Sequence, residues 1–405
     1  MAIEIPTGTT QFQIQEEGVT YILKGGSSRS ASGGDSVIFG DGTVDNDKVI
    51  INGTVSQTGT GFGVQLSGLD MIVQVGANGS ISGATGVELT GGNAKVTNAG
   101  AITGSDPFGY GVYFEGSNTE ISNTGDIISQ GTGIFARGPN SSIDNDGKIQ
   151  GQTGINIEDA RVDITIGDHG KVIGTDAAIF SESTEATDKI HILNNGKITG
   201  QNSSFAIELG DSNDKVVNHG AIAGKIYLGT GKDVFDARGG TVDHAVAGGA
   251  GDDTLITDQA SVKLKENGGS EGFDTVKSTV NYTLSANVEQ LVLLGHDNLT
   301  GKGNSDGNWL MGNSGNNKLF GIDGDGSDTF IFKTGGGHDT LMDFDAGTDK
   351  VDVSKWQGMD NFNDIKQHAT DVGGDVHITL GSDELIIQDT HKADLHAGDF
   401  LFHVV

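Results

Sequence analysis

Along the first 245 residues, short apolar triplets alternate with polar residues and are punctuated by Asn and Gly. One signature, NxGx(I/V)xG, recurs as NGSISG at 78–83, NAGAITG at 98–104, NTGDIIS at 123–129, NDGKIQG at 145–151, DHGKVIG at 168–174, NNGKITG at 194–200 and NHGAIAG at 218–224. From Gly79 to Gly220 the mean spacing is 23.5 residues over six intervals. Between signatures lies another apolar stretch, such as GVELT at 86–90, GVYFE at 111–115 or GINIE at 154–158. Each period therefore predicts three short strands, in one coil residues 95–97, 101–103 and 112–114. Period-two alternation turns Val96, Ile102, Val112 and Phe114 inward.

A repeat of this length, built from β-branched triplets and Asn/Gly corners, predicts a parallel β-helix solenoid over residues 35–245. Asn and Gly are expected both to supply left-handed backbone at the corners and to stack Asn side chains in a hydrogen-bonded ladder. Residues 1–34, with amphipathic stretches around Phe12 and from Val19 to Leu23, are expected to cap the open end. A single short helix is expected at 360–369, where an N-cap precedes apolar residues at helical spacing.

Composition sharpens this picture. The chain has 405 residues, 67 Gly, 3 Pro, no Cys and a net charge of −31. Little proline and no G-X-Y period exclude collagen, and the absence of Cys excludes disulfides and thiolate metal sites. So acidic a surface repels nucleic acid and anionic membranes and favours a cation, with oxygen ligands suited to hard ions such as Ca²⁺. No window approaches the roughly 20 apolar residues of a membrane span.

From about residue 228 the pattern changes to GGxGxDxUx, with U a large apolar residue. Residues 248–256, GGAGDDTLI, match in full. LGTGKDVFD at 228–236, DGDGSDTFI at 323–331 and TGGGHDTLM at 334–342 match in part, and GNSGNNKLF at 312–320 carries Asn317 in place of the aspartate. Glycines allow a tight turn with exposed carbonyls, Asp adds a charged oxygen, and U packs inside a flattened roll.

These nonapeptides resemble the RTX, or hemolysin-type calcium-binding, family, whose β-roll also follows the catalytic domain of serralysin-like proteases. EGFDTVKSTVNYTLSANVEQLVLLG at 271–295, GHDTLMDFDAGTDKVDVS at 337–354 and VHITLGSDELIIQDTHKADLHAGDFLF at 376–402 are similar to further parts of that region. The resemblance implies an all-β chain in which the solenoid, about 23 residues and three strands per coil, precedes a calcium-binding β-roll at 246–350. A C-terminal β-sandwich-like region with a type I secretion signal would occupy 351–405. It implies Ca²⁺ ligands at Asp253 with the Gly249 and Gly251 carbonyls, Asp328 with Gly324 and Gly326, and Asp339 with Gly335 and Gly337, with Asp233 as a further candidate. Asp343, Asp345 and Asp349 are expected to complete a site or to cap the roll.

The ending, Asp399 followed by Phe400, Leu401, Phe402, His403, Val404 and Val405, resembles that of family members exported uncleaved by the type I apparatus. With no basic and apolar leader at the start, the expected destination is extracellular. Catalytic signatures are missing: no HExxH, no GxSxG, and no match to the YGFDPH-like motif of mannuronan epimerases, whose layout is similar. Arg137 and Arg161, one period apart near Glu158, Asp159 and Asp163, would form either a surface charge pair or a face that handles acidic sugars. Phe108, Tyr110 and Tyr113 would be packing or a sugar platform, and Trp309 and Trp356 core. The sequence thus predicts a secreted, calcium-binding, non-enzymatic protein in adhesion or matrix structure, with a cell-surface receptor or polysaccharide as partner. The alternative is a polysaccharide lyase or uronate epimerase.

Overall fold

The structure, a computed structural model, describes all residues except 44, 159–160, 183–188, 203, 267–271, 323–325 and 404–405. The chain is an all-β, parallel solenoid of about 14 turns, with about 23 residues per coil. It divides into two compact units: residues 1–233 with 239–244, and residues 234–238 with 245–405.

In the first unit each coil contributes three strands, such as Lys95–Asn98, Ala101–Gly104 and Tyr110–Glu115. Successive coils pair in register, so identical side-chain positions stack into columns. Val49, Val73, Val96, Ile121, Ile143, Ile164, Ile192 and Val216 form one column. A second runs from Ile81 through Ile102, Ile127, Ile149, Val172 and Ile198 to Ile222. The third includes Val64, Val87, Val112, Ile134, Ile155 and Ile179. All are fully buried. At roughly 1.5–3 kcal/mol for each buried Val or Ile, three residues per coil build a core from a chain poor in apolar residues. In the coils at Lys148–Glu158 and Lys171–Ser181 the second and third strands merge into one. The N-terminal residues follow the same scheme, with Ala2–Glu4 paired to Thr20–Leu23 and Phe12–Gln13 paired to Ile38–Asp41.

The two roles expected of asparagine fall on different residues. The ladder consists of Asn98, Asn123 and Asn145, linked by Nδ2–H donors to the next Oδ1 at 2.8 and 2.7 Å, and separately of Asn194 and Asn218 at 2.7 Å. Left-handed backbone occurs instead at the opposite corner, at Asn93, Asn118 and Asn140, with φ of 58°, 57° and 59°. The members expected at Asn78 and Asp168 are exposed. Val75 and Ile166 occupy their ladder positions, because both turns are two residues longer and close on themselves, Gly79 to Gly76 at 2.8 Å and Gly170 to Gly167 at 2.9 Å.

The second unit has two strand rows. One holds Thr254–Thr257, Thr275–Ser278, Gln290–Leu293, Trp309–Met311, Thr329–Lys333, Lys350–Lys355 and Phe400–Leu401. The inward residues Leu255, Val276, Leu291, Leu310, Phe330, Val351 and Phe400 align in one buried column. Trp309, expected in the core, is 40% exposed because alternation gives the inward place to Leu310, whereas Trp356 is buried. The other row ends in an antiparallel meander, Ala369–Val372, Asp375–Leu380 and Asp383–Ile387, the last pairing in parallel with His338–Leu341. The helix Phe362–His368 starts at Asn361, in a capping box with Asp364.

Candidate metal centre

At several roll strands the residue just before the strand carries a side chain that accepts the equivalent N–H of the preceding turn. Asp253 N–H donates to Asp274 Oδ1 at 2.8 Å, and Asp274 N–H to Glu289 Oε2 at 2.7 Å. Asn308 N–H donates to Asp328 Oδ1 at 2.8 Å, Asp328 N–H to Asp349 Oδ1 at 3.0 Å, and in the other row Asn317 N–H to Asp339 Oδ1 at 2.8 Å. In the first unit Asp214 N–H donates to Asp233 Oδ1 at 2.7 Å. All four expected aspartates, 233, 253, 328 and 339, are buried. For Asp233, Asp328 and Asp339 the first task is structural, to satisfy a backbone donor that would otherwise be orphaned.

The other oxygen of three of them lies on the glycine side of a turn. A Cβ at Gly248 would strike Asp253 Oδ2 and Glu266 Oε1, one at Gly321 Asp328 Oδ2, and one at Gly312 Asp339 Oδ2. Only glycine leaves that space open. Around the first turn, Asp253, Glu266 and Asp274 are all buried and each offers one oxygen within 4.8 Å of the others. Burial, and next the Asp274 charge, push the Glu266 carboxyl up to about 8; burial also raises Asp274 to about 6. Three carboxyls crowded out of water resist ionising together. A hard divalent cation removes that conflict, and an all-oxygen donor set of this kind fits Ca²⁺.

Gly249 and Gly251 have φ of 116° and 119°, and Gly335 and Gly337 of 76° and 86°, the left-handed backbone their turns require. Gly335 and Gly337 N–H groups donate to Asp383, at 2.8 and 3.4 Å, much as Gly248 and Gly249 donate to Glu266 at 3.2 and 3.3 Å. Asp339 is pushed up to about 7, chiefly by burial. Gly326 packs against the Gly307 backbone, and Gly324 lies outside the described residues. Asp343 accepts from Gly321 and Ile322, and Asp349 from Asp345 and Asp328, so both fasten turns. Glu266, Asp274 and Asp383 were not expected. They lie outside the nonapeptides, and only the pairing register, Thr254 opposite Thr275, brings Asp274 beside Asp253.

Two turns are built with amides instead. In GNSDGN at 303–308 and GNSGNN at 312–317, Asn304 Nδ2 donates to the Ser285 and Val288 carbonyls, at 2.6 and 2.9 Å, and Asn308 Nδ2 to Val288 at 3.0 Å. Asn313 Nδ2 donates to the Leu294 and Asp297 carbonyls, each at 3.0 Å, and Asn317 Nδ2 to Asp297 at 3.3 Å. A neutral NH₂ here gathers carbonyls of the turn before.

Arg137 and Arg161 do not stack. Arg137 pairs in register with Glu158 and Glu115, whose carboxylate is 3.7 Å away, and Arg161 immediately precedes the strand Val162–Ile166. Tyr110, Tyr113 and Phe135 pack on one another at 5.1–5.2 Å between ring centres, with Phe135 buried, while Phe108 is exposed.

A 186-residue stretch is 31% identical to the endo-1,3-1,4-beta-glycanase EglC of Rhizobium meliloti (strain 1021), covering 44% of this chain and 39% of that protein. The chain thus spans well under half the length of this curated relative. The crystal structure of the extracellular lipase LipA from Serratia marcescens is 14% identical, with a TM-score of 0.26, over 60% of this chain and 45% of the other. Residues 228–405, a little under half of the chain, match the family described as the C terminal of the peptidase M10 serralysins, so this part of the chain is similar to that region.

Proposed function

We propose that the chain is a secreted, calcium-binding protein of RTX type, in which Ca²⁺ folds and rigidifies the roll and the solenoid serves adhesion or matrix structure without catalysis. The observation that carries this reading is the buried group of Asp253, Glu266 and Asp274 around the Gly248 space. The serralysin-type match supports the same ion and export by the type I route. Asp253, Glu266 and Asp274, with the Gly249 and Gly251 carbonyls, would hold the first ion; Asp328 with Gly326, and Asp339 with Gly335 and Gly337, would hold others. Calorimetry and far-ultraviolet circular dichroism during Ca²⁺ titration test it. A rise in melting temperature and in β signal against an EDTA control is expected, and identical curves would overturn the reading.

The glycanase relative favours a second reading, a polysaccharide-active enzyme with the roll as accessory module. Incubation with mixed-linkage β-glucan, alginate and pectate, followed for new reducing ends or unsaturated products, separates the two.

A further inference from the structure

In a chain of net charge −31, three lysines stand in register on the outward face of the second strand row. Lys148 pairs with Lys171, and Lys171 with Lys197. Successive strands lie about 4.8 Å apart, so the row places three like charges within about two strand spacings. Like charges directly opposite one another destabilise a sheet. Elsewhere the solenoid neutralises such a position: Lys95 is bonded to Glu120 at 2.6 Å. None of the three row lysines has an ion-pair partner among the described residues. The row continues with Asp126 on one side and Ala221 on the other, so a single carboxylate faces three ammonium groups. On the same face, two residues further along, stand the uncharged Gln150, Ile173 and Thr199.

A second feature meets this row. The short turns at Gly100, Gly125 and Gly147 lie between the two longer turns, near Ala77 and His169, and form the floor of a trough of about 610 Å³ that Lys148 and Lys171 also line. The floor offers peptide groups and small residues. One acid, Asp126, lines the trough in register with Lys148; Asp146, outside the lining, is engaged by His169, whose backbone N–H donates to it at 3.0 Å and whose Nδ1 lies 3.4 Å away.

We propose that this trough and lysine row bind a linear acidic polysaccharide laid along the solenoid axis. The row supplies evenly spaced cations for carboxylate or sulfate groups, and the peptide floor with Gln150 and Thr199 supplies hydrogen bonds for hydroxyls. A nucleic acid duplex suits the site poorly. Its width would carry phosphates beyond the lysine row onto the acidic surface of a chain of net charge −31. The site lies wholly in the first unit and does not depend on the calcium reading.

The test uses the full chain in calcium-containing buffer, with hyaluronan and dextran sulfate as probes and neutral dextran and duplex DNA as comparisons. The parent is expected to bind both acidic polymers, with affinity falling as salt rises. Replacing all three lysines, K148Q/K171Q/K197Q, is expected to weaken hyaluronan binding about tenfold or more and to flatten its salt dependence. Lys95→Gln should bind like the parent. The single exchange Lys171→Glu, at an exposed position, repeats the test with little demand on folding. Equal binding by these variants and the parent overturns the proposal, as does equal affinity for dextran, or tighter binding of DNA than of hyaluronan.

Discussion

The peptide N–H of Asp253 is bonded to the carboxylate of Asp274, one turn further on, at 2.8 Å. A nonapeptide aspartate is thus tied to its neighbour by the backbone while its own carboxylate faces Gly248. Replacement of Asp274 by Asn keeps an acceptor oxygen and removes a charge; replacement by Ala removes both. In EDTA, Asp274→Asn should melt at or above the parent temperature, because a crowded carboxylate is gone. Its calcium-induced rise should shrink. Asp274→Ala should melt lower in either buffer, losing about 1–3 kcal/mol for a buried donor left unpaired. Calorimetry of the three proteins with and without Ca²⁺ checks both statements.

Asn308 and Asn317 hold their turns with neutral amides. Asn308→Ala and Asn317→Ala should each lower stability by about 1–3 kcal/mol, by the same amount in EDTA as in calcium. Urea unfolding in the two buffers measures the difference. A loss confined to the calcium buffer would mean that these turns also depend on an ion.

Within the asparagine ladder, Asn123 accepts from Asn98 and donates to Asn145, whereas Asn194 donates to Asn218 and its own Oδ1 has no partner among the described residues. The coil before Asn194 presents Ile166 at that position. Asn123→Ala should therefore cost more than Asn194→Ala, by about 1 kcal/mol for the additional bond. Chemical unfolding of the two variants decides the order.

Glu88 lies among half-buried groups on the third strand row, and burial holds its carboxyl above the usual range despite the Gln65 Nε2 donor at 2.8 Å. A carboxyl raised in the folded state stabilises the fold at acid pH, and that contribution is lost as pH rises through the unfolded and then the folded value. Glu88→Gln keeps an acceptor for Gln65 and cannot ionise. Relative to the parent, its melting temperature should rise between about pH 4 and pH 7, by a few degrees at most. A constant difference across that range would contradict the assignment.

Much of the solenoid was legible because its signals are local. The triplets at 95–97, 101–103 and 112–114 are the strands Lys95–Asn98, Ala101–Gly104 and Tyr110–Glu115, and the four residues read as inward are buried. The helix at Phe362–His368 was equally plain from its cap. Spacing misled where turns differ in length. Asp168 follows the consensus in sequence, yet two added residues pass its place in the ladder to Ile166. The candidate metal centre was half legible: Asp253 and its glycines carry a motif, whereas Glu266 and Asp274 become neighbours only through a stacking register that no short motif encodes. Trp309 failed for a simpler reason, since size suggested burial and alternation assigned that place to Leu310.

The three apolar columns of the first unit have a consequence for how such a chain can change over generations. Each coil carries one member of every column and meets its neighbours through backbone pairing that any coil provides. A whole coil, such as the one from Asn98 to Asn123, could be lost or copied with the remaining strands still facing matching partners. A single-residue insertion within a strand would reverse its inward and outward faces, and is tolerated only in a turn, as the longer corners at Gly76–Gly79 and Gly167–Gly170 illustrate. The solenoid's length is therefore free to drift in steps of one coil, while the phase inside a coil is fixed.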